Sequence, residues 1–205
     1  MIDLYLAPTA NGLRASVTME ECGLAYKAHK IDLAKGEQRS AEFLKLNPAA
    51  QIPVIVDPEG PGGRPMTLVQ SGAIMLYCAE KTGKFLPKDP ARRAVALQWF
   101  MQAATDVAPT SGAIFQLEMV APEKSEAITG HFRKRLLNFF AVCDRRLSDN
   151  EFLAGELSLA DLHLYPNYAA RKGLIDAAGG FANLHRWGAA LAARPAVAKG
   201  MKPLG

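Results

Sequence analysis

Cysteine is scarce in this sequence, and the few cysteines present follow no pairing pattern. The 205 residues include three cysteines, Cys22, Cys78 and Cys143, with no CxxC pair among them. Each stands in an apolar helical pattern, where a buried free thiol is the expected state. The sequence therefore predicts reduced cysteines and a cytoplasmic protein, and no metal site is expected.

Long apolar runs and a strong excess of one charge are also missing. Proline, glycine or polar residues interrupt the uncharged stretches, so we expect no membrane span. The start MIDLYLAPT lacks the basic leader and apolar core of a signal peptide. The net charge is only +4, and the densest basic cluster, residues 133–135, is expected on a solvated helix face. We therefore expect neither a membrane nor a nucleic-acid partner.

The composition that remains is that of an ordinary globular protein, with 49% hydrophobic and 21% charged residues. Apolar periodicity predicts strands at residues 2–6, 25–33, 52–57 and 65–70. It predicts helices at residues 12–23 and 71–83, and a short one capped by Ser40 and ended by Asn47-Pro48. The expected order over residues 1–84 is therefore βαβαββα, an α/β domain.

The second half of the sequence contains helical patterns only. A proline-containing linker at residues 85–90 precedes long helical patterns at 91–117 and 124–148, and the last pattern breaks before Pro195. Ser158 and Asp161 match a capping box ahead of another apolar run, which gives them a structural role. We expect an all-α domain over residues 91–205.

Pro53 opens the predicted third strand. Proline is tolerated there because its missing N–H group need not join the sheet. The tight corner between helix and strand makes the Ile52-Pro53 bond a candidate for the cis isomer.

The first strand-to-helix elbow, YLAPTANGLRASVTMEE at residues 5–21, has the form of a reactive site but contains no Cys, His or Lys. Thr9 and Asn11 offer neutral hydrogen-bond donors beside a helix N-terminus, whose partial positive charge favours an anion. These two residues could instead be a turn former and a helix cap, which are common structural roles. Both interpretations stay open on the residues alone.

Three further segments resemble the cytosolic glutathione transferase family in the expected order. They are NPAAQIPVIVD, LVQSGAIMLYCAEKTGKFLP and FLAGELSLADLHLYP. The resemblance covers essentially the whole chain and implies a thioredoxin-like N-terminal domain that binds glutathione, followed by an all-α domain. It also implies a homodimer.

Within that family the elbow LAPTANG is similar to the APTPNG elbow of the bacterial nu class. Members of that class bind glutathione, often two molecules per site, and reduce disulfides by thiol exchange without a protein cysteine. The resemblance thus implies that glutathione is a co-substrate, the second substrate being a small disulfide or an electrophile. Thr9 and Asn11 would then stabilise the glutathione thiolate.

The resemblance also implies the residues that hold glutathione. The Ile52 backbone beside cis Pro53 would pair with the cysteinyl part, Gln70 and Ser71 would hold the γ-glutamyl end, and Gln38 or Arg39 would reach the glycine carboxylate. A second substrate or second glutathione would meet residues of the helical half: Trp99, Gln102, His131 and Arg133. For each aromatic residue, an ordinary place in the core is the alternative.

Three functions remain open at this point. The first is a glutathione transferase that acts as a thiol–disulfide oxidoreductase. The second is a non-catalytic binding or regulatory module with the same fold, which the retention of Ile52-Pro53 and Gln70-Ser71 disfavours. The third is an enzyme that conjugates or cleaves hydrophobic substrates.

Overall fold

The computed structural model describes all 205 residues, Met1–Gly205. By packing, the chain divides into two units. Unit 1 contains Met1–Lys84 together with Ala192–Gly205, and unit 2 contains Phe85–Leu191. The structure thus packs residues 192–205 with the N-terminal unit, although the sequence pattern grouped them with the other helices.

Unit 1 is built on a four-stranded mixed sheet of order β2-β1-β3-β4. The strands are β1 (Ile2–Leu6), β2 (Tyr26–Lys30), β3 (Val54–Asp57) and β4 (Met66–Val69). Strand β1 runs parallel to β2 and antiparallel to β3, and β3 runs antiparallel to β4. Its helices are α1 (Ala10–Cys22), α2 (Ala41–Leu46), α3 (Ser71–Thr82) and α9 (Pro195–Gly200). The predicted βαβαββα order is confirmed.

The second strand is shorter than predicted. Five residues of β1 pair with five of β2, from Ile2 with Tyr26 to Leu6 with Lys30. Beyond that point, the Asp32 carboxylate accepts hydrogen bonds from the backbone N–H groups of Ala34 and Lys35, 3.1 and 3.2 Å away. Such a side-chain turn competes with strand pairing, so β2 ends before residue 33.

Helix α9 is docked on α1, which explains why the C-terminal residues belong to unit 1. The Ser16 hydroxyl donates to the Gly200 carbonyl oxygen at 2.6 Å. Arg194 makes a two-pronged ion pair with Glu21, at 2.6 and 2.8 Å. A Cβ at Gly200 would stand 2.5 Å from Cα of Val17, so the two helices touch through their backbones.

Unit 2 consists of helices α4 (Pro90–Gln102), α5 (Ala108–Phe115), α6 (Glu126–Leu147), α7 (Leu159–Ala178) and α8, which begins at Ala182 and ends at Ala192. Its core includes Leu136, Phe140, Cys143 and Leu147 of α6, all buried at the predicted helical spacing. Phe132 and Phe139 of the same pattern are only half-buried. None of the helices in either unit has the length and hydropathy that a membrane span requires.

The long helical pattern at residues 91–117 is not one regular α-helix. A π-helical segment, Ala103–Val107, lies between α4 and α5, and a second, Gln116–Val120, follows α5. Pro109 cannot donate a backbone hydrogen bond and its ring crowds the preceding turn. The wider π-helical turn before it accommodates this proline within a continuous helical path.

The capping box at Ser158 is confirmed. Ser158 caps α7, because its Oγ accepts a hydrogen bond from Ala160 N. In the reciprocal bond, the Asp161 carboxylate accepts from Ser158 N at 3.0 Å. Asp161 also accepts from Leu153 N and from Nε1 of Trp187, each at 2.9 Å. Burial raises the pKa of Asp161, while these donors act to lower it. Its role is structural, as expected.

Gly12 permits the close contact between the first turn of α1 and the end of β1. A Cβ at this position would stand 2.2 Å from the backbone oxygen of Ala7. Such a contact is far below van der Waals distance, and the opposing atom belongs to the backbone and cannot swing away.

Gly12→Ala is therefore expected to lower the free energy of unfolding by about 1–3 kcal/mol, as overpacking does. Gly130→Ala in α6 is the matched control, because its Cβ would meet nothing closer than 4.0 Å. That change should stabilise the protein by about 0.5–1 kcal/mol. Urea unfolding measures both variants, and a Gly12→Ala protein as stable as the parent would contradict the close contact.

Candidate anion site at two helix N-termini

The elbow after β1 places Thr9 at the cap of α1. The helix begins at Ala10, and the Thr9 Oγ1 accepts from Gly12 N at 3.4 Å. The interpretation of Asn11 as the helix cap is therefore wrong, because α1 starts two residues earlier than predicted. Asn11 lies in the first turn and is exposed. The Thr9 hydroxyl still has its own hydrogen to donate.

The amide of Asn11 has a fixed orientation. Its Oδ1 accepts from Nη1 of Arg14 at 2.5 Å. Since the oxygen faces the guanidinium, the Nδ2 hydrogens must point the other way. No acidic side chain lies in the first turn of α1. The elbow therefore offers outward donors at a positive helix end.

Arg14 is the residue of this site that the sequence analysis missed. Its side chain is only 3% exposed, and Nη1 also lies 3.4 Å from Oγ of Ser71 at the start of α3. Burial lowers the pKa of Arg14 to about 10, so the guanidinium remains charged at neutral pH. The available signal was its position three residues after Asn11, on the same helix face.

The start of α3 is the other helix N-terminus of the candidate site. Gln70 precedes the helix with φ of 72° and makes no side-chain cap, and no acidic residue follows in the first turn. Gln70 is exposed and Ser71 is half-buried. The first N–H groups of α3 are thus left without a side-chain cap, as an anion site requires.

The corner before β3 is organised by Asn47. Its Oδ1 accepts from Ala49 N at 3.1 Å, and its Nδ2 donates to the Gln51 carbonyl oxygen at 2.7 Å. The Ile52-Pro53 bond that follows is cis, as the sequence indicated. Asn47 is buried and was assigned only a helix-ending role from the sequence.

Gln38 and Arg39 lie in a 3₁₀ turn, Glu37–Arg39, ahead of α2. Arg39 is exposed, whereas Gln38 is half-buried. The Oε1 atom of Gln38 is buried and accepts no hydrogen bond. A buried acceptor without a donor is costly, and a bound group with an N–H or O–H could supply one.

The four residues predicted for a second substrate do not form one cluster within unit 2. Trp99 lies under Arg146, with 5.9 Å between the guanidinium carbon and the ring centre. Arg133 lies 13 residues before Arg146 on α6, about 20 Å along the helix axis. His131 is exposed beside Phe132. Gln102 is half-buried at the end of α4.

Arg133 is engaged by acidic side chains. Its Nε and Nη2 donate to Glu118 Oε1 at 3.1 and 2.9 Å, and its Nη1 donates to Glu126 at 2.6 Å. Arg171 also pairs with Glu118. Burial acts to raise the pKa of Glu118, but the two arginines outweigh it and the pKa lies below its ordinary value. An anion at Arg133 would compete with these carboxylates.

The three cysteines are free and buried. Burial raises the pKa of Cys78 and of Cys143 to about 12, and it also raises that of Cys22. A thiol with so high a pKa carries almost no thiolate at neutral pH, and the thiolate is the nucleophile. The structure gathers no group of three or more His, Cys, Asp or Glu side chains that could hold a metal ion.

Family models match both halves of the chain. Residues 2–80 match the glutathione S-transferase N-terminal domain, and residues 97–195 match the glutathione S-transferase C-terminal domain. The disulfide-bond oxidoreductase YfcG of Escherichia coli (strain K12) is 39% identical over 168 residues, which are 81% of this chain and 78% of that protein. The disulfide-bond oxidoreductase YghU of the same strain is 31% identical over an alignment of 213 positions, which covers 97% of this chain and 73% of that protein.

Solved structures agree with this match over the whole chain. A glutathione transferase from Pseudomonas putida, with one glutathione disulfide bound per subunit, superposes with a TM-score of 0.91 at 36% identity, covering 100% of this chain and 92% of that one. One from Burkholderia graminis, with two glutathione molecules bound per subunit, gives 0.91 at 33% identity, covering 99% and 88%. This chain belongs to the glutathione S-transferase family.

The backbone conformation of Gln70 should affect the free energy of unfolding of the ligand-free protein. A non-glycine residue at φ of 72° is strained by about 1–3 kcal/mol, part of which glycine relieves. Glycine also adds freedom to the unfolded chain, which offsets about 0.4–1 kcal/mol. Gln70→Gly is therefore expected to raise the free energy of unfolding by about 1 kcal/mol.

The matched control is Gln51→Gly, an exposed glutamine outside the positive-φ residues. There the same exchange should destabilise by about 0.4–1 kcal/mol. Thermal or urea unfolding measures both variants. If the two changes shift stability in the same direction, the strain assigned to Gln70 is contradicted.

Proposed function

We propose that this protein is a glutathione-dependent thiol–disulfide oxidoreductase of the glutathione transferase family and that it belongs to the nu class. One observation carries the proposal. One buried arginine of unit 1 contacts the first turns of two helices, at Asn11 and Ser71, and neither turn contains an acidic side chain. Such a pair of positive helix ends suits a substrate with an anionic group at each of two positions.

Glutathione has these groups. Its γ-glutamyl carboxylate would accept from the Ser71 hydroxyl and the first N–H groups of α3, and Gln70 would accept from its amine. Its cysteinyl backbone would pair with the Ile52 backbone beside cis Pro53, as an added strand does. Gln38 Nε2 or Arg39 would donate to the glycine carboxylate. The unpartnered Oε1 of Gln38 is an acceptor, so it would take the amide N–H of that glycine instead.

The thiol of this substrate would then lie at the elbow. A free thiol has a pKa near 8.5, so only a few per cent is thiolate at neutral pH. Donation from Asn11 Nδ2, the Thr9 hydroxyl and the α1 N-terminus would favour the anion. Each such charge-assisted hydrogen bond is worth about 1.5–3 kcal/mol, or about one to two pKa units if it is lost on protonation.

The reaction needs no protein nucleophile. The glutathione thiolate attacks one sulfur of a small disulfide, a new S–S bond forms, and the old one breaks to release a thiolate that takes up a proton. A second glutathione thiolate attacks the mixed disulfide and releases the other thiol and glutathione disulfide. Two glutathione molecules thus supply the two electrons, and the high pKa values of the three cysteines fit this scheme.

The relatives support the disulfide as second substrate. Two of them bear the name disulfide-bond oxidoreductase, and solved relatives contain either glutathione disulfide or two glutathione molecules per subunit. A second glutathione in this chain would meet the helical half, where Trp99, Gln102, His131 and Arg133 stay predictions. Arg133 would have to exchange an acidic partner for the ligand.

A cytoplasmic homodimer with a role in detoxification completes the proposal. Three buried free cysteines suit a reducing compartment, and the homodimer rests on the family resemblance.

A coupled assay tests the function directly. Purified protein is given glutathione and bis(2-hydroxyethyl) disulfide, and the glutathione disulfide formed is followed with glutathione reductase and NADPH. Activity on the electrophile 1-chloro-2,4-dinitrobenzene is measured in parallel. We expect disulfide reduction to exceed conjugation. Faster conjugation would instead indicate a conjugating enzyme, and no glutathione binding at millimolar concentration would indicate a binding module.

Asn11→Ala tests the role of the elbow. The variant loses a donor to the thiolate. At saturating glutathione, the acidic limb of the pH profile of kcat/KM for the disulfide should therefore move up by about one pKa unit. At pH values well below the bound thiol pKa the rate should fall about tenfold, since the thiolate fraction falls by that factor there. Asn183→Ala in α8, a half-buried asparagine bonded to Asp144, is the control. An unchanged pH profile in Asn11→Ala would remove Asn11 from the reaction.

A further inference from the structure

Arg14 has an environment that is unusual for a buried cation. Its side chain is 3% exposed, and its side-chain hydrogen bonds go to two neutral acceptors, Asn11 Oδ1 and Ser71 Oγ. Its Nε is buried and makes no hydrogen bond. Burying a charge without a counter-charge is costly, so this arrangement calls for a compensating function.

The two acceptors of Arg14 are the two groups that face the proposed substrate. When Asn11 Oδ1 and Ser71 Oγ accept from the guanidinium, each turns its negative end inward. The hydrogens of the Asn11 amide and of the Ser71 hydroxyl are then directed away from Arg14, as donors. By holding these two oxygen atoms, the single buried guanidinium of Arg14 leaves a donor of Asn11 and a donor of Ser71 directed outward, at two different helix N-termini.

We propose that Arg14 is a positioning residue that sets the donor orientation of Asn11 and Ser71 together and makes the site selective for a ligand with two anionic ends. This inference rests on the proposed function, because it identifies the part of the chain that couples the thiolate end of glutathione to the γ-glutamyl end. Arg14 is the only cationic residue in α1.

The positive charge of Arg14 also acts directly on an anionic ligand. A guanidinium in a buried position is screened less than one on the surface, so its field extends to an anion held by its two partners. Burial lowers its pKa to about 10, which leaves it protonated at neutral pH. The bound anions would in turn provide the counter-charge that the free protein lacks.

The experiment uses Arg14→Met, which keeps the apolar stem and removes the charge, and Arg14→Lys, which keeps the charge but loses the planar fork. With Arg14→Met we expect kcat/KM for disulfide reduction to fall about 10- to 100-fold, in line with the loss of charge-assisted hydrogen bonds. Arg14→Lys should recover part of that loss. The affinity for S-methylglutathione, which has no thiol, should fall as well, because the Ser71 donor is also affected.

Thr18→Val is the matched structural control. Thr18 is fully buried in α1 and its hydroxyl donates to the Arg14 backbone oxygen at 2.8 Å. The change removes a buried hydrogen bond from the same helix turn without touching the guanidinium. It should lower stability and leave turnover near the parent level. Equal losses of turnover in Thr18→Val and Arg14→Met would mean that Arg14 is merely structural.

A cycle of variants identifies the route by which Arg14 acts. In an Asn11→Ala/Ser71→Ala background, Arg14→Met should lower glutathione affinity less than about threefold, since residues that act as a unit are non-additive. If Arg14→Met lowers glutathione affinity by the same factor in the parent and in the double-variant background, the positioning role is overturned.

The free protein gives a readout that does not depend on the proposed function. The ¹⁵N relaxation of the Asn11 side-chain amide, assigned by its absence in Asn11→Ala, should show an ordered group in the parent and a mobile one in Arg14→Met. An amide equally ordered in both would overturn the inference. A parent protein that binds no glutathione but shows this change would contradict the proposed function and leave the Arg14–Asn11 coupling in place.

Discussion

The contact between the first turn of α1 and the end of β1 is the constraint on which the site depends. Gly12 allows the helix to start directly against the Ala7 backbone, which places the positive end of the helix just past the carboxyl end of β1, a central strand. Further along α1, the ion pair of Arg194 with Glu21 and the hydrogen bond from Ser16 to Gly200 hold this helix against α9. Helix α1 therefore cannot shift without losing buried contacts.

A fixed helix end makes neutral donors effective. Water would reorganise around an exposed charge, whereas donors that are already oriented stabilise an anion without further rearrangement. Asn11 is exposed, yet its amide is oriented by a buried guanidinium. The positive charge thus stands behind the donors, where it is screened less than a surface lysine would be. The elbow needs no nucleophile of its own because the substrate brings a thiol.

Local patterns predicted much of the fold, because the signals lie within a few residues of one another. The capping box of Ser158 and Asp161, the Ser40 cap and the break before Pro195 all depend on short-range geometry. The family, the βαβαββα order and the class of glutathione-dependent enzyme are confirmed by the matches to both domain models and by the relatives.

The features that the sequence analysis missed depend on distant contacts. A lone Arg14 in a helix is typical of a solvated face, and only the packing of α3 against α1 buries it beside Ser71. Likewise, the ion pair between Arg133 and Glu118 joins α6 to a residue 15 positions earlier, within the second π-helical segment. The start of α1 was misplaced by two residues because Thr9 and Asn11 are both good caps, and local preference could not choose between them.

The pKa of the bound glutathione thiol shows whether the elbow stabilises a thiolate. Ultraviolet thiolate absorbance is followed against pH for glutathione alone and for glutathione saturated with protein. The protein cysteines do not interfere, because burial raises the pKa of each. If the elbow stabilises the thiolate, the bound thiol pKa is expected at least about one unit below the free value near 8.5. A bound pKa equal to or above the free value would contradict it.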